Sequence, residues 1–159
     1  MELDGYFNYP EVNDDPSEAP FLATCSQDEW TTIRAHADTL RYAAGSTVIA
    51  PGSLERALVI LVTGQLEVVR THAGRRRDQR LALCEAGSVV GELAFLDGKP
   101  ASALVRAVGE VEVLRLPLPR FEVLAAKDPQ LALYVLFDLG RLVASRFRTA
   151  QLLLGTVDR

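Results

Sequence analysis

The residues best suited to chemistry lie in one stretch, Gly91-Glu92-Leu93-Ala94-Phe95-Leu96-Asp97-Gly98-Lys99-Pro100-Ala101-Ser102-Ala103-Leu104. A strand-like run ends at Val89-Val90, and a glycine follows at once. Then come a carboxylate, one short apolar helical turn and a Gly-x-Pro break, after which an alternating strand begins. This layout suits an anion site. Glycine permits a close backbone approach to a ligand. The first N–H groups of a helix have no internal partner and point outward, where a phosphate can take them. Glu92, at the mouth of the turn, has the acceptor atoms to take hydrogen bonds from sugar hydroxyls. A carboxylate there also has a purely structural use, capping free N–H groups.

The order Gly-Glu-Leu-Ala, an apolar pair, Gly-x-Pro and then small residues resembles the phosphate-binding cassette of the cyclic-nucleotide-binding domain family. The resemblance implies a binding site at Gly91, Glu92, Leu93, Ala94, Ala101 and Ser102. In it, Glu92 matches the acid that holds the ribose 2′-hydroxyl. The backbone of Leu93 and Ala94 matches the donors to the cyclic phosphate, and Ser102 matches the small hydroxyl residue beside it. Ala101 stands where the family usually carries an arginine that pairs with the phosphate charge. Charge-assisted hydrogen bonds contribute about 1.5–3 kcal/mol net each. At about 1.4 kcal/mol per decade, the loss lowers affinity for cAMP or cGMP by about tenfold to a hundredfold or more. Lys99, two residues earlier at an exposed corner, is a candidate substitute base, although a lysine at a turn is normally solvated. Arg106 lies on the next strand, where relatives also carry a base, and a separate role on the barrel surface is expected for it.

The elements that position this stretch are legible from periodicity. Ser26 with Glu29 forms a capping box, and Trp30, Ile33 and Ala37 then share one helical face. From Leu40 the period becomes that of strands: Leu40 to Ala43, Thr47 to Ala50, Ala57 to Thr63, Gln65 to Thr71 and Arg80 to Cys84. Gly45, Gly52, Gly64, Gly74 and Gly87 punctuate them, and Thr63-Gly64-Gln65 reads as a tight hairpin. Ala103 to Val108 and Val111 to Leu116 are two further strands. The turn glycines fall in register with the family, so the resemblance covers roughly residues 20–150. The expected fold is mainly β with flanking helices. It is a double-stranded β-helix, or jelly-roll, barrel over about residues 38–116, with one N-terminal helix, a short cassette helix and two C-terminal helices. The expected divisions are an acidic extended or disordered segment at 1–20, the domain at 21–150 and a tail at 151–159.

After Pro117 the chain turns helical, and Asp128-Pro129 starts a longer helix. Its apolar residues recur at Ala132, Val135, Leu139, Leu142, Val143, Phe147, Ala150 and Leu154. The spacing, near 3.5, reads as a dimer seam over Val135, Leu139, Leu142, Val143 and Phe147. Arg141, Arg146 and Arg148 lie outside the stripe. Many relatives continue into a DNA-binding helix-turn-helix, or belong to a kinase regulator or an ion channel. None of those modules fits in the residues that remain, so a homodimer or an unidentified protein partner is expected.

Composition narrows the remaining classes. The 159 residues are 48% hydrophobic and 24% charged, enough for one domain with a core. No apolar run reaches about 18 residues and no secretory signal opens the chain, so a cytoplasmic protein without a membrane span is expected. Residues 1–20 carry six acids and no base, which leaves 15 acids and 17 bases elsewhere. No nucleic-acid footprint is visible. The basic run Arg75-Arg76-Arg77 reads as a solvated loop or as a docking patch for an acidic segment. Cys25 and Cys84 read as reduced thiols. His36 and His72 sit in different elements, too few for a metal-dependent jelly-roll enzyme, and no nucleophile–base pair is visible. No metal, cofactor or enzymatic activity is expected. Two readings stay open: a regulatory sensor with weakened or altered cAMP/cGMP binding, and a ligand-independent interaction or dimerisation module on a degenerate pocket.

Overall fold

The computed structural model describes residues 19–71 and 78–155, with side chains as far as 152. His72, Gly74, the run Arg75–Arg77, residues 1–18 and the side chain of Leu154 lie outside the described residues. Helix α1 (Gln27–His36) is followed by strands β1 (Asp38–Tyr42), β2 (Thr47–Ile49), β3 (Ala57–Thr63), β4 (Leu66–Arg70), β5 (Gln79–Cys84) and β6 (Val89–Val90). Helix α2 (Glu92–Asp97) leads into β7 (Leu104–Ala107) and β8 (Val111–Pro117). Two helices end the described chain, α3 (Leu118–Lys127) and α4 (Pro129–Gly155). The last continues beyond the tail boundary expected at 151.

The strands form two four-stranded antiparallel sheets, in the orders β1-β8-β3-β6 and β2-β7-β4-β5. The sheets face each other but do not close into the expected barrel. Their edges include β6, with two residues, and β2, with three, which offer few backbone groups for pairing across. The expected Thr63-Gly64-Gln65 hairpin is also corrected. β3 pairs with β8 and β6, so both its edges are taken. The turn instead carries the chain into the opposite sheet, where β4 pairs with β5 and β7. Only glycine fits this crossing. Gly64 has φ +89°, and a Cβ there would lie 2.4 Å from the Glu110 carbonyl oxygen.

β3 reads Ala-Leu-Val-Ile-Leu-Val-Thr because most of it is buried on both faces. Val59 and Leu61 face the gap between the sheets, with Leu66, Val90, Val105, Val111 and Val113. Leu58 and Ile60 face the helices, with Leu114, Leu116, Phe121, Leu124, Leu131 and Leu139. Ile33 of α1 joins this second core, and the Ser26–Glu29 capping box starts α1 as expected. Asp128 caps α4 by accepting from the Leu131 N–H at 3.0 Å. A short strap bridges sheet and helix: the Phe21 N–H donates to the Gly87 carbonyl, and the Leu22 N–H donates to the buried Asp138 carboxylate at 2.7 Å.

Both described cysteines are free thiols. Burial, reinforced by Glu29, pushes the Cys25 thiol up to about 12, so it carries no reactive thiolate. Glu67, 8% exposed on β4, is clamped by Arg106 of β7 and Arg80 of β5. The hydrogen bond from Arg106 outweighs the upward push of burial. With the bond from Arg80, it holds the Glu67 carboxyl below its ordinary value.

Two tests follow from these contacts. Gly64→Ala should destabilise the fold by about 2 kcal/mol or more, read as a lower urea midpoint with unchanged slope. An unshifted midpoint would contradict the crossing geometry. For Glu67, a depressed folded pKa gives stability that is present above the free-glutamate value of about 4.3 and lost as pH falls through the folded value. The stability gap between wild type and Glu67→Gln should therefore be constant from pH 7 to 5 and shrink toward pH 3. A gap independent of pH would show that the clamp is not ionic.

Candidate functional site

Residues 91–104 form a short helix with flanking turns, set into the wall of a cavity. Gly91 is the hinge. Its φ of +82° and its approach to β3 both require glycine, since a Cβ would lie 2.6 Å from the Ala57 carbonyl oxygen. Phe95, fully buried, packs edge-to-face on Phe121 with ring centres 5.5 Å apart. Arg56 reaches over from the β2–β3 loop and donates to the Phe95 carbonyl at 2.8 Å and the Leu96 carbonyl at 3.3 Å. It thereby satisfies the carbonyl end of α2. Gly98 ends the helix in the left-handed conformation. The outgoing chain is then pinned by paired backbone bonds, Ala101 N–H to the Ser53 carbonyl (2.9 Å) and Gly52 N–H to the Ala101 carbonyl (2.8 Å).

Beneath this cassette lies a cavity of about 240 Å³ between the two sheets. Gly91, Ala94 and Ala101 line it from the cassette side. Val48, Ile49, Ala57 and Val59 form apolar wall, and Tyr42, Thr47, Ser53, Glu55 and Arg115 supply polar groups. Three of the six expected site residues therefore reach the cavity. The side chains of Leu93 and Ser102 are exposed.

Glu92 is turned toward α4. Arg146 forms an ion pair with its carboxylate at 2.7 Å and donates to the Val89 carbonyl at 2.8 Å. The Glu92 side chain is only 12% exposed, so its charge is shielded from water and depends on a partner. One guanidinium thus ties the last strand before the cassette, the cassette acid and the long helix. Arg146 lay outside the apolar stripe in sequence, and nothing in its local pattern marked it.

Neither Lys99, the candidate substitute base, nor Arg106 is among the residues that line the cavity. Lys99 sits on the exposed corner, its backbone N–H held by Asp97 at 2.9 Å. Arg106 is committed to Glu67. The cavity's cation is Arg115. The signal for it was present, since the alternation Val111-x-Val113-x-Arg115 places a charge on an inward face.

The expected dimer seam needs correction. Val135, Leu139 and Leu142 are no more than 1% exposed in the chain's own core, and Val143 is half-buried. That stripe faces the sheet and α3. Of the five residues, only Phe147 is exposed. The outward line of α4 is Leu133, Phe137, Gly140, Ala144 and Phe147. Among the described residues, no cluster of side chains could hold a metal ion, and no helix is long and apolar enough to cross a membrane.

Known proteins share this architecture. The Cyclic nucleotide-binding domain family matches residues 39–128. The Cyclic AMP receptor protein of Thermus thermophilus is 33% identical over 111 residues, 70% of this chain and 49% of that protein. A cAMP-dependent protein kinase regulatory subunit of Aspergillus fumigatus is 35% identical over 100 residues, 62% of this chain and 23% of that one. The chain thus spans half or less of either relative. The crystal structure of the Thermus thermophilus Catabolite Activator Protein superposes with a TM-score of 0.75 at 28% identity, covering 88% of this chain and 63% of that one. With the cassette, the facing sheets and the family match in agreement, this chain belongs to the cyclic nucleotide-binding domain family.

Proposed function

We propose that this chain is a regulatory sensor domain whose binding of cAMP or cGMP is weakened because Ala101 replaces the cassette arginine. The observation that carries this reading is the cavity itself, walled by Gly91, Ala94 and Ala101 where the family holds its ligand. A methyl group at position 101 offers no charge to a phosphate. The regulatory step runs through Arg146. Ribose hydroxyls compete with this guanidinium for Glu92, so occupancy loosens the grip of α4 on the cassette. Such a switch works only through the difference in affinity between the two positions of α4. The sensor has no enzymatic activity and needs no cofactor.

A second reading has its own support. Glu92 is already satisfied by Arg146, and α4 exposes Leu133, Phe137, Gly140, Ala144 and Phe147 at alternating spacings of four and three. Such spacing forms a seam between paired helices. Gly140 has open space beyond its Cα, so a partner helix can approach closely there. In this reading the chain is a dimerisation module through α4, whether or not a nucleotide binds. The seam is the outward line of the helix, opposite the buried stripe.

Calorimetry tests the sensor reading. Wild type should bind cAMP or cGMP weakly, and Ala101→Arg should tighten binding by about tenfold to a hundredfold. No heat from either protein at millimolar nucleotide would remove the sensor reading. Sedimentation tests the seam: wild type should run as a dimer and Leu133→Glu/Phe147→Glu as a monomer. Identical mass for the two would remove the seam.

A further inference from the structure

Arg115 is the basic side chain that lines the cavity, and no cassette resemblance accounts for it. On β8 it continues the inward row of Val111 and Val113, and it lies opposite Val59 on β3 and Asp38 on β1. Its guanidinium pairs with Glu55, which also lines the cavity, and with Asp38 at 3.3 Å. Asp38 is in turn held by Arg120 at 2.6 Å. The two carboxylates differ in freedom. Glu55 is 49% exposed on a loop, whereas Asp38 is anchored in a strand and shared between two arginines. Glu55 is therefore the partner that moves most readily into water.

We propose that Arg115 is the anion-binding residue of this cavity, and that Glu55 occupies its guanidinium until a ligand phosphate displaces it. The proposal rests on the cavity being the nucleotide site and names the group that replaces the missing cassette charge. The exchange is balanced: one carboxylate leaves and one singly charged phosphodiester enters, so the charge around Arg115 is unchanged. A guanidinium suits this exchange because its planar fork takes two oxygens of either group. The ligand class is a sugar phosphate with a single negative charge. The cavity falls below the usual range for ligand sites, roughly 300–1,000 Å³, so the sugar and phosphate enter while the base stays at the mouth. Competition from Glu55 also makes binding weak.

The test is calorimetry of the full chain with cAMP as the probe. Arg115→Met should weaken binding by about tenfold or more, and Glu55→Gln should tighten it by about threefold or more. Adding Ala101→Arg to Arg115→Met should restore affinity to near the wild-type value. A purely structural Arg115 does not predict the gain from Glu55→Gln. Arg115→Lys, which keeps the charge but not the fork, serves if the methionine variant does not fold, and should bind at an intermediate level. Wild-type affinity in Arg115→Met, or no gain in Glu55→Gln, would overturn the proposal. So would binding by Ala101→Arg with none by wild type, a result that leaves the nucleotide site standing. Silence from both of those proteins would instead remove the nucleotide site, and Arg115's role with it.

Discussion

The approach of Gly91 to β3 is the constraint on which the cassette depends. With its α-carbon pressed toward the Ala57 carbonyl, the chain turns sharply from β6 into α2 without leaving the sheet. That turn sets Ala94 over the gap between the sheets and drives Phe95 into the helical core. A side chain at position 91 would push the cassette outward. The contacts of Arg56 with the end of α2 and of Arg146 with its beginning would then be misplaced together. The cavity is thus a consequence of backbone packing, and it exists whatever the chemistry of the residues that line it.

In the cavity and in the elements around the cassette, charge is held in closed pairs. Glu92 is held by Arg146, Arg115 by Glu55 and Asp38, and Arg106 by Glu67. Under the proposed function, a cassette arginine would offer a ligand a positive charge that Ala101 does not. Here, under the proposed function, a ligand must exchange partners with groups already satisfied. Exchange of one ion pair for another yields little net free energy, because both states are charge-compensated. Weak binding coupled to movement of α4 is the physical expectation for such a site.

Much of the fold was legible in the sequence. The capping box at Ser26, the turn glycines and the β-period from Leu40 onward each encode local geometry, and local geometry survives folding. The Gly64 crossing was not legible. A turn between two apolar runs has the same sequence whether the strands pair or part, and the choice is made by β8 and β6 occupying both edges of β3. The dimer seam failed for a related reason. An apolar stripe on a helix shows that one face is buried but not what buries it, and here the chain's own α3 and sheet do. At the site, the cassette positions were read from resemblance. Arg146 and Glu55 were missed because they arrive from distant elements, and only Arg115 left a trace, as a charge on the inward period of β8.

The most direct measurement of the central claim is an amide chemical-shift titration of the full chain with cAMP. The cavity beneath the cassette predicts concentration-dependent shifts at Gly91, Ala94, Ala101 and Ser53, with a second set along α4 around Arg146. Shifts confined to another surface, or none at millimolar nucleotide, would contradict it.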